Sequence, residues 1–206
     1  GAIADYNKAL ALDPKNPELK KEINPELAAA YLKHGKALFD AKKFEEAVTH
    51  FNEAIKISPD DPNAYAIRGD CHRALKDIPS ALKDYHKVIE LRNKDRDAIA
   101  YGEFVRVLVE IGEIERQLSR KKKTEPDKIK QLNIAIKTFT KAITEAGTRA
   151  VVEPKILARA HRGRAGTRVD LADLEAENRE TLFKDAIEDY QQARKLGLVG
   201  NQEVTD

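Results

Sequence analysis

The residues best suited to chemistry are one cysteine and five histidines. Cys71 is followed directly by His72, and His86 lies further along the chain. Thiolate and imidazole are ligands that Zn²⁺ prefers, but this spacing matches no short zinc-ligand pattern and a fourth ligand has no obvious candidate. A thiol nucleophile needs a base that a third group orients, and nothing in the sequence marks such a group. We therefore predict neither a metal site nor a catalytic cysteine.

Other motifs of enzymes are also missing from the sequence. It has no phosphate-binding glycine loop and no Gly-x-Ser-x-Gly turn. Acidic pairs such as Glu45-Glu46 and Asp60-Asp61 fall at predicted helix starts, where they interact favourably with the helix dipole. The sequence therefore predicts a non-enzymatic protein with no catalytic residues and no cofactor.

Two basic clusters suit the binding of anions. "SRKKK", from Ser119 to Lys123, is interpreted as a solvated hairpin tip; contact with an acidic partner or nucleic acid is the alternative, and the role of Arg120–Lys123 stays open. The second cluster contains Arg159, Arg162, Arg164 and Arg168. Arg164 and Arg168 share a helix face and can bind a carboxylate or phosphate through paired N–H groups. Pairing of these arginines with Asp170 or Glu175 is the alternative.

Composition excludes several classes of partner. Charged residues make up 35% of the 206 residues, but 37 Lys and Arg against 35 Asp and Glu leave a net charge of only +2. Nucleic acid is not an expected partner, because its binding needs a strong basic excess or stripe. No apolar run approaches the roughly 18 residues that span a bilayer, so membrane insertion is not expected. A single cysteine favours a reducing compartment such as the cytoplasm, and "GAIADYNKAL" lacks the features of a signal peptide.

The elements that would position these residues repeat along the chain. The interval from Gly35 to Gly69 recurs from Ala47 to Ala81 and from Phe51 to Tyr85. The order of the landmarks is kept: aromatic, glycine, alanine, aromatic, and then Pro59 in the first copy. This pattern, with its period of about 34 residues, resembles the tetratricopeptide repeat family, whose unit is a pair of antiparallel helices. The match is close at residues 28–61 and 62–95.

The rest of the chain carries the same landmark residues, but at less regular intervals. Residues 1–16 resemble the second half of a unit, and the extra residues Pro17–Leu27 predict a short additional helix. Taking Gly102 as the landmark of a third unit makes the interval to Ala135 much longer than the interval from Gly35 to Ala47 in a regular unit. In a fourth unit, the interval from Gly163 to Ala186 is lengthened by a smaller amount. We therefore predict two elongated helical hairpins, at 96–150 and 156–198, that pack on each other; for the second insertion, a disordered loop is an equal alternative.

Side-chain size explains why this pattern folds. Glycine and alanine let two helix axes approach closely, and the aromatic fills the groove beside them. One helix pair cannot bury its apolar face alone, so neighbouring pairs must stack. The sequence predicts one all-α domain over residues 1–206, a right-handed solenoid of antiparallel helix pairs.

The resemblance implies a binding groove lined by the first helix of each pair. We matched the family's groove positions to the first helix of each unit in this sequence and added Arg164 and Arg168. The predicted groove residues are Leu32, Lys36, Phe39, Asn63, Ile67, Asp70, Arg73, Ile99, Glu103, Arg106, Arg164 and Arg168. Some members of the family bind the C-terminal carboxylate of chaperones through a Lys/Asn clamp. Its positions correspond here to Leu32, Lys36 and Ile67, which all depart from the clamp, so binding in that mode is not predicted.

The sequence therefore predicts an interaction scaffold that binds a peptide or helical segment of a partner protein in the groove. Self-association is the alternative, through apolar surface around Ile3, Tyr6 and Leu10. A third possibility is an adaptor that contacts an anionic partner through the basic tip.

Overall fold

The structure is a computed structural model that describes residues 1–147 and 152–197. These residues form helices and connecting turns, with no β-strand among them. The all-α fold class predicted from the sequence is confirmed. The chain divides into two compact units, one from Gly1 to Ile99 and one beginning at Ala100, where the sequence predicts a single domain. The ends of the predicted ranges 96–150 and 156–198 lie outside the described residues.

The first unit is built from pairs of neighbouring helices. Its helices are α1 (Ala2–Leu12), α2 (Pro17–Asp40), α3 (Phe44–Ile57), α4 (Pro62–Ala74) and α5 (Ile78–Lys94). Helix α2 packs against α3, α4 packs against α5, and α3 joins the two pairs through contacts with α4. The range 62–95 of the second predicted regular unit holds the whole α4–α5 pair, whereas the range 28–61 holds α3 and the part of α2 that follows Leu27.

Polar side chains and prolines fix where the first helix of each pair begins. The Asn16 side chain accepts a hydrogen bond from the Leu19 N–H (3.0 Å), and Pro17 follows as the first helical residue. The Asp61 carboxylate accepts from the Asn63 N–H (2.9 Å), and Pro62 follows. A capping side chain satisfies an N–H that lacks a helical partner, and proline has no N–H to leave unpaired.

The turn inside each regular pair has the same backbone geometry. Lys42 and Lys76, which occupy equivalent positions in the two units, both take left-handed conformations, with φ of 61° and 62°. The Lys43 N–H donates to the Leu38 carbonyl (2.9 Å), and the Asp77 N–H donates to the His72 carbonyl (2.8 Å). These bonds are typical of the Schellman motif that ends a helix. The repeat period is therefore present in the backbone as well as in the sequence.

The landmark residues of the two pairs also meet in equivalent ways. A Cβ atom added at Gly35 would lie 3.0 Å from the Phe51 ring, and one added at Gly69 would lie 2.7 Å from the Tyr85 ring. Both rings are fully buried, with 0% exposure. Each glycine therefore gives the ring on the following helix the space in which it packs.

The prediction of a separate helix in Pro17–Leu27 is wrong. Helix α2 runs unbroken for 24 residues from Pro17 to Asp40, with Pro25 inside it. The cap at Asn16 starts the helix, and Leu27 and Ala28, just after Pro25, are buried. Burial of this part of the helix outweighs the backbone hydrogen bond that the proline cannot make, so the helix stays continuous.

The second unit also consists of helices joined by turns. They are α6 (Tyr101–Ser119), α7 (Glu125–Gly147), α8 (Pro154–Ala172) and α9 (Arg179–Lys195), the last preceded by a short 3₁₀ turn at Ala176–Asn178. Helices α6 and α7 have 19 and 23 residues, against 13 and 17 in α4 and α5. The elongated C-terminal hairpins are confirmed, and they pack on each other through α6, α7 and α8. Helix α8 continues through Gly163 and Gly166, so this part of the second insertion is helical rather than a disordered loop.

The structure corrects the landmark glycine of the third unit. A Cβ atom added at Gly112 would lie 2.8 Å from the buried Phe139 ring, so Gly112 meets the ring as Gly35 and Gly69 meet theirs. The interval from Gly112 to Ala135 equals the interval from Gly163 to Ala186. In both elongated pairs, the interval between the landmark glycine and the landmark alanine is therefore longer than in the regular pairs by the same number of residues. The sequence alone favoured Gly102 because an aromatic residue, Tyr101, precedes it.

Candidate functional site

In the first unit, the predicted groove residues lie on two neighbouring helices. Leu32, Lys36 and Phe39 are spaced four and three residues apart on α2, so they share one face. Asn63, Ile67, Asp70 and Arg73 follow the same spacing on α4, which contacts α2. We call these seven residues the α2–α4 face.

The centre of the α2–α4 face is apolar and half-buried. Leu32, Phe39 and Ile67 pack against a buried cluster of Ala47, Phe51 and Cys71. The Phe39 ring also meets the Phe44 ring edge-on, with 5.6 Å between centroids. The buried cluster holds the inner part of each of these side chains in place, and the outer part remains accessible. This arrangement suits contact with an apolar residue of another chain.

Charged and polar groups of both kinds surround this centre. Lys36 is exposed, and Arg73 is half-buried. The Asp70 carboxylate accepts a hydrogen bond from the Tyr85 hydroxyl (2.6 Å). The Asn63 amide donates to Asp61 (3.2 Å). The face therefore offers positive and negative charge beside an apolar strip.

The predicted groove residues of the third unit are engaged inside the protein. Ile99 is buried, with 4% exposure, so it cannot contact a partner as the chain is folded. Arg106 donates to Glu103 through Nε (2.9 Å) and Nη2 (2.6 Å). These three residues were assigned from the Gly102 landmark. Glu103 and Arg106 keep partly exposed side chains, at 29% and 20%, but pair with each other.

Arg164 and Arg168 converge on a buried carboxylate. Asp189 is 2% exposed; it accepts from Arg164 Nε (2.8 Å) and Arg168 Nη1 (2.6 Å), and lies 2.7 Å from His161 Nδ1. Their partner is therefore Asp189, with Asp185 as a second partner of Arg168 (3.2 Å), and not Asp170 or Glu175. Burial raises the pKa of Asp189, but hydrogen bonds from His161 and Arg164 and the charges of the two arginines outweigh it and hold the pKa below its ordinary value.

Asp189 belongs to a recurring arrangement that the sequence analysis missed. The residue just before each landmark aromatic ring is polar and contacts the first helix of its own pair. Asp84, before Tyr85, pairs with Arg68 (2.6 Å), and Thr138, before Phe139, donates to Glu115 (2.7 Å). His50, before Phe51, meets the His34 ring at 4.3 Å between centroids. The recurrence of a polar residue just before the landmark aromatic is a sequence pattern from which these contacts could have been predicted.

A pocket of about 480 Å³ lies in the second unit between α6 and α8. Four arginines line it, Arg116 and Arg120 from the end of α6, and Arg159 and Arg162 from α8. Glu113 is the acidic residue on its wall, and the rings of Phe139 and Tyr190 complete it. When Gly112 is aligned with Gly69, Glu113 and Arg116 occupy the positions that Asp70 and Arg73 hold in the second regular repeat.

The cysteine considered for catalysis and metal binding lies in the core of the first unit. Cys71 is fully buried, and burial raises the pKa of its thiol to about 12, so the nucleophilic thiolate is not formed at neutral pH. Within residues 1–147 and 152–197, no three His, Cys, Asp or Glu side chains are grouped so that they could hold a metal ion.

Several surface features concern the alternative functions. Arg120 to Lys123 are exposed. Ile3, Tyr6 and Leu10 are half-buried rather than exposed, whereas Leu12 on the same helix is 80% exposed. Helix α9 exposes Phe183, Ile187 and Tyr190 along one face, at 37%, 56% and 41%. None of the described helices combines the length and apolar character needed to cross a membrane.

Comparison with known proteins agrees with this geometry. The family model described as "TPR repeat" matches residues 35–72, which run from the Gly35 landmark through the turn and into α4. This match confirms the resemblance to the tetratricopeptide repeat family that the sequence predicts. The pairs α2–α3 and α4–α5, whose glycine and aromatic landmarks lie at equivalent places, have the arrangement expected of tetratricopeptide repeat units.

The relatives that this chain matches are much longer proteins. It is 35% identical over 106 residues to the Hsp70-Hsp90 organizing protein 3 of Arabidopsis thaliana, covering 44% of this chain and 19% of that protein. It is 34% identical over 128 residues to the RNA polymerase II-associated protein 3 of Rattus norvegicus, covering 62% of this chain and 16% of that protein. The chain thus spans less than a fifth of the length of either relative.

The fold also resembles a solved structure. The crystal structure of MamA aligns with a TM-score of 0.54 and 20% sequence identity, covering 95% of this chain and 86% of MamA. At this level of identity the likeness concerns the fold alone.

Proposed function

We propose that this protein is a non-enzymatic scaffold that binds an extended or helical segment of a partner protein on the α2–α4 face. The observation that carries the proposal is the row of half-buried apolar side chains, Leu32, Phe39 and Ile67, on two helices that touch. Similarity to proteins named as organizers of, or associates of, other proteins supports a role in protein interaction.

The bound segment would combine apolar residues with charge of both signs. Its apolar side chains would cover Leu32, Phe39 and Ile67, while its acidic groups would lie near Lys36 and Arg73. A chaperone tail held by the clamp is not proposed, since Leu32, Lys36 and Ile67 replace the clamp residues. A short segment bound in this way has an affinity on the order of micromolar, or about −8 kcal/mol.

The test is affinity capture with charge-altered variants. Partners bound by the unaltered protein are identified by mass spectrometry, and their affinities are then measured with Lys36→Glu, Arg73→Ala and Lys20→Glu. Lys20 is exposed on α2 but lies about 160° around the helix from Lys36. We expect Lys36→Glu and Arg73→Ala to weaken binding about tenfold or more, and Lys20→Glu to leave it unchanged.

Equal binding by all three variants would contradict the α2–α4 face as the site. Circular dichroism provides the folding control, because Lys36 is exposed and its replacement should leave the helical signal and melting temperature unchanged.

Self-association is a second candidate function, favoured by the exposed apolar row Phe183, Ile187 and Tyr190 on α9. These residues are four and three apart, so they form one stripe on the helix. In stacked helical repeats such a stripe is normally covered by the next pair. A second copy of the chain can cover it here.

A further inference from the structure

The pocket between α6 and α8 concentrates positive charge. Four arginines and one glutamate line it, a formal excess of three positive charges in about 480 Å³. The whole chain carries a net charge of only +2. Asp170 and Glu110, which pair with two of these arginines from outside the lining, offset part of this excess. The remaining positive charge lies in a concave site, which strengthens the attraction for an anion.

Two of the arginines are held in position by carboxylates. Arg116 donates to Asp170 through Nε (2.7 Å) and Nη2 (3.1 Å). Arg159 Nη2 donates to Glu110 (3.0 Å) and Glu113 (2.9 Å). Each guanidinium has five N–H donors, so these bonds leave further donors on both groups for a ligand.

The other two arginines are available. No hydrogen bond or ion pair to Arg162 is found among residues 1–147 and 152–197, and this side chain is exposed. Arg120 is 68% exposed and reaches only 4.0 Å from Asp170. Arg162 and Arg120 therefore have donors that an incoming anion can use without breaking a close internal ion pair.

Two glycines keep the pocket open. Gly163 lies on its wall, against Phe139, where an added Cβ would meet the ring. A Cβ at Gly166 would meet the guanidinium of Arg116. Any larger residue at these positions would displace the ring or the arginine, so both glycines preserve the arrangement of the donors.

We propose that this pocket binds the phosphate of a phosphorylated side chain on a partner peptide. A phosphate monoester carries a charge of about −1.5 to −2 at pH 7 and three acceptor oxygens, which matches several convergent guanidinium groups better than the single charge of a carboxylate. A peptide is favoured over nucleic acid because a net charge of only +2 leaves the chain without the broad basic surface along which a nucleic-acid backbone would lie. The site is separate from the α2–α4 face.

The test is a titration followed by two-dimensional amide NMR at constant ionic strength. The probes are the peptide acetyl-Gly-Ala-phosphoserine-Ala-Gly-amide, its unphosphorylated form, its glutamate form, and inorganic phosphate. We expect the phosphopeptide to shift the amide signals of Gly163 and Tyr190 saturably. It should bind at least tenfold more tightly than the unphosphorylated or glutamate peptide, and more tightly than inorganic phosphate.

Variants locate the site. Arg162→Gln and Arg120→Gln should each weaken phosphopeptide binding about fivefold or more, and both residues are exposed, so the fold should be kept. Lys121→Gln, the next residue of the tip, is the matched control and should have no effect. Lys36→Glu should also have no effect, which separates this site from the proposed binding on the α2–α4 face.

Four results would overturn the proposal. Equal shifts with the unphosphorylated peptide would exclude recognition of phosphate, and equal affinity for the glutamate peptide would make this a carboxylate site. Equal or tighter binding of inorganic phosphate would exclude the peptide. Unchanged affinity in both arginine variants would place the binding elsewhere.

Discussion

Asp189 illustrates how a single buried charge organises its surroundings. Its carboxylate is 2% exposed and is met by Arg164, Arg168 and His161. A buried carboxylate is costly unless cations and hydrogen bonds compensate for lost hydration. These contacts also explain why Arg164 and Arg168, which the sequence suggested as ligand-binding residues, hold α9 to α8 instead.

We predict that Asp189→Asn costs about 3 kcal/mol of unfolding free energy at pH 7, because it leaves buried cations without their partner. The pKa of Asp189 is lowered in the folded state, so its contribution is present above the unfolded pKa of about 3.9 and is lost as pH falls through the folded value. Urea unfolding from pH 7 down to pH 3 should therefore show the two proteins converging in acid.

Asp185→Asn provides the comparison for this measurement. Asp185 pairs with Arg168 at 3.2 Å, but its side chain is 40% exposed, so its loss should cost less than about 1 kcal/mol. A pH-independent difference between Asp189→Asn and the unaltered protein, or equal costs for the two variants, would contradict this account.

At the scale of the helices, close packing between a glycine and an aromatic ring recurs where the helices of three pairs cross, α2–α3, α4–α5 and α6–α7. The contact recurs at Gly35 with Phe51, Gly69 with Tyr85, and Gly112 with Phe139, although the last glycine and ring are further apart in the sequence than the other two. The longer helices of the second unit therefore keep the same crossing and extend beyond it.

We predict a graded effect of glycine-to-alanine substitution on stability. At Gly69 the new Cβ would lie 2.7 Å from a buried ring, and at Gly35 it would lie 3.0 Å away, whereas nothing lies within 4 Å of Gly147. Overpacking costs about 1–3 kcal/mol, while alanine gains up to about 1 kcal/mol in helix propensity. Thermal and urea unfolding should rank Gly69→Ala as least stable, then Gly35→Ala, then Gly147→Ala.

The Gly147 variant isolates the helix-propensity gain, so its difference from Gly69→Ala measures the packing cost. If Gly69→Ala were as stable as Gly147→Ala, the Tyr85 ring would have to move freely, and the glycine would not be what sets the crossing.

At the scale of the whole molecule, the two units present different surfaces. The first unit offers an apolar strip with charge of both signs on the α2–α4 face. The second offers the arginine-lined pocket and the exposed row on α9. The scaffold and phosphate proposals therefore concern separate sites, and each can be tested without altering the other.

Self-association through α9 predicts a concentration-dependent dimer in sedimentation velocity. Ile187 is 56% exposed at the centre of the row, so Ile187→Glu would place a charge in the dimer contact and should give a monomer. Gln192→Glu, which adds the same charge about 140° around the helix, should not change the dimer. A monomeric unaltered protein, or a dimer that both variants retain, would contradict this role for α9.

The sequence could predict the repeats because their determinants are local and periodic. Glycine, alanine and aromatic residues that recur at one fixed spacing identify helix pairs without any knowledge of long-range contacts. The elongated hairpins followed from the same periodicity, since apolar residues continue at intervals of three and four through α6. The sequence predicted a separate helix at Pro17–Leu27 because these residues precede the repeat pattern, whereas burial of Leu27 and Ala28 keeps α2 continuous.

By itself, the sequence determined the all-α class, the resemblance to the tetratricopeptide repeat family and which predicted residues share a helix face, because these depend on side-chain size and helical spacing. Only the tertiary structure decided which glycine meets Phe139 and which carboxylate binds Arg164 and Arg168. It also decided that Arg116 and Arg120 of one helix face Arg159 and Arg162 of another. These contacts join residues far apart in the chain, where insertions shift the register, so their geometry is fixed only when the helices pack.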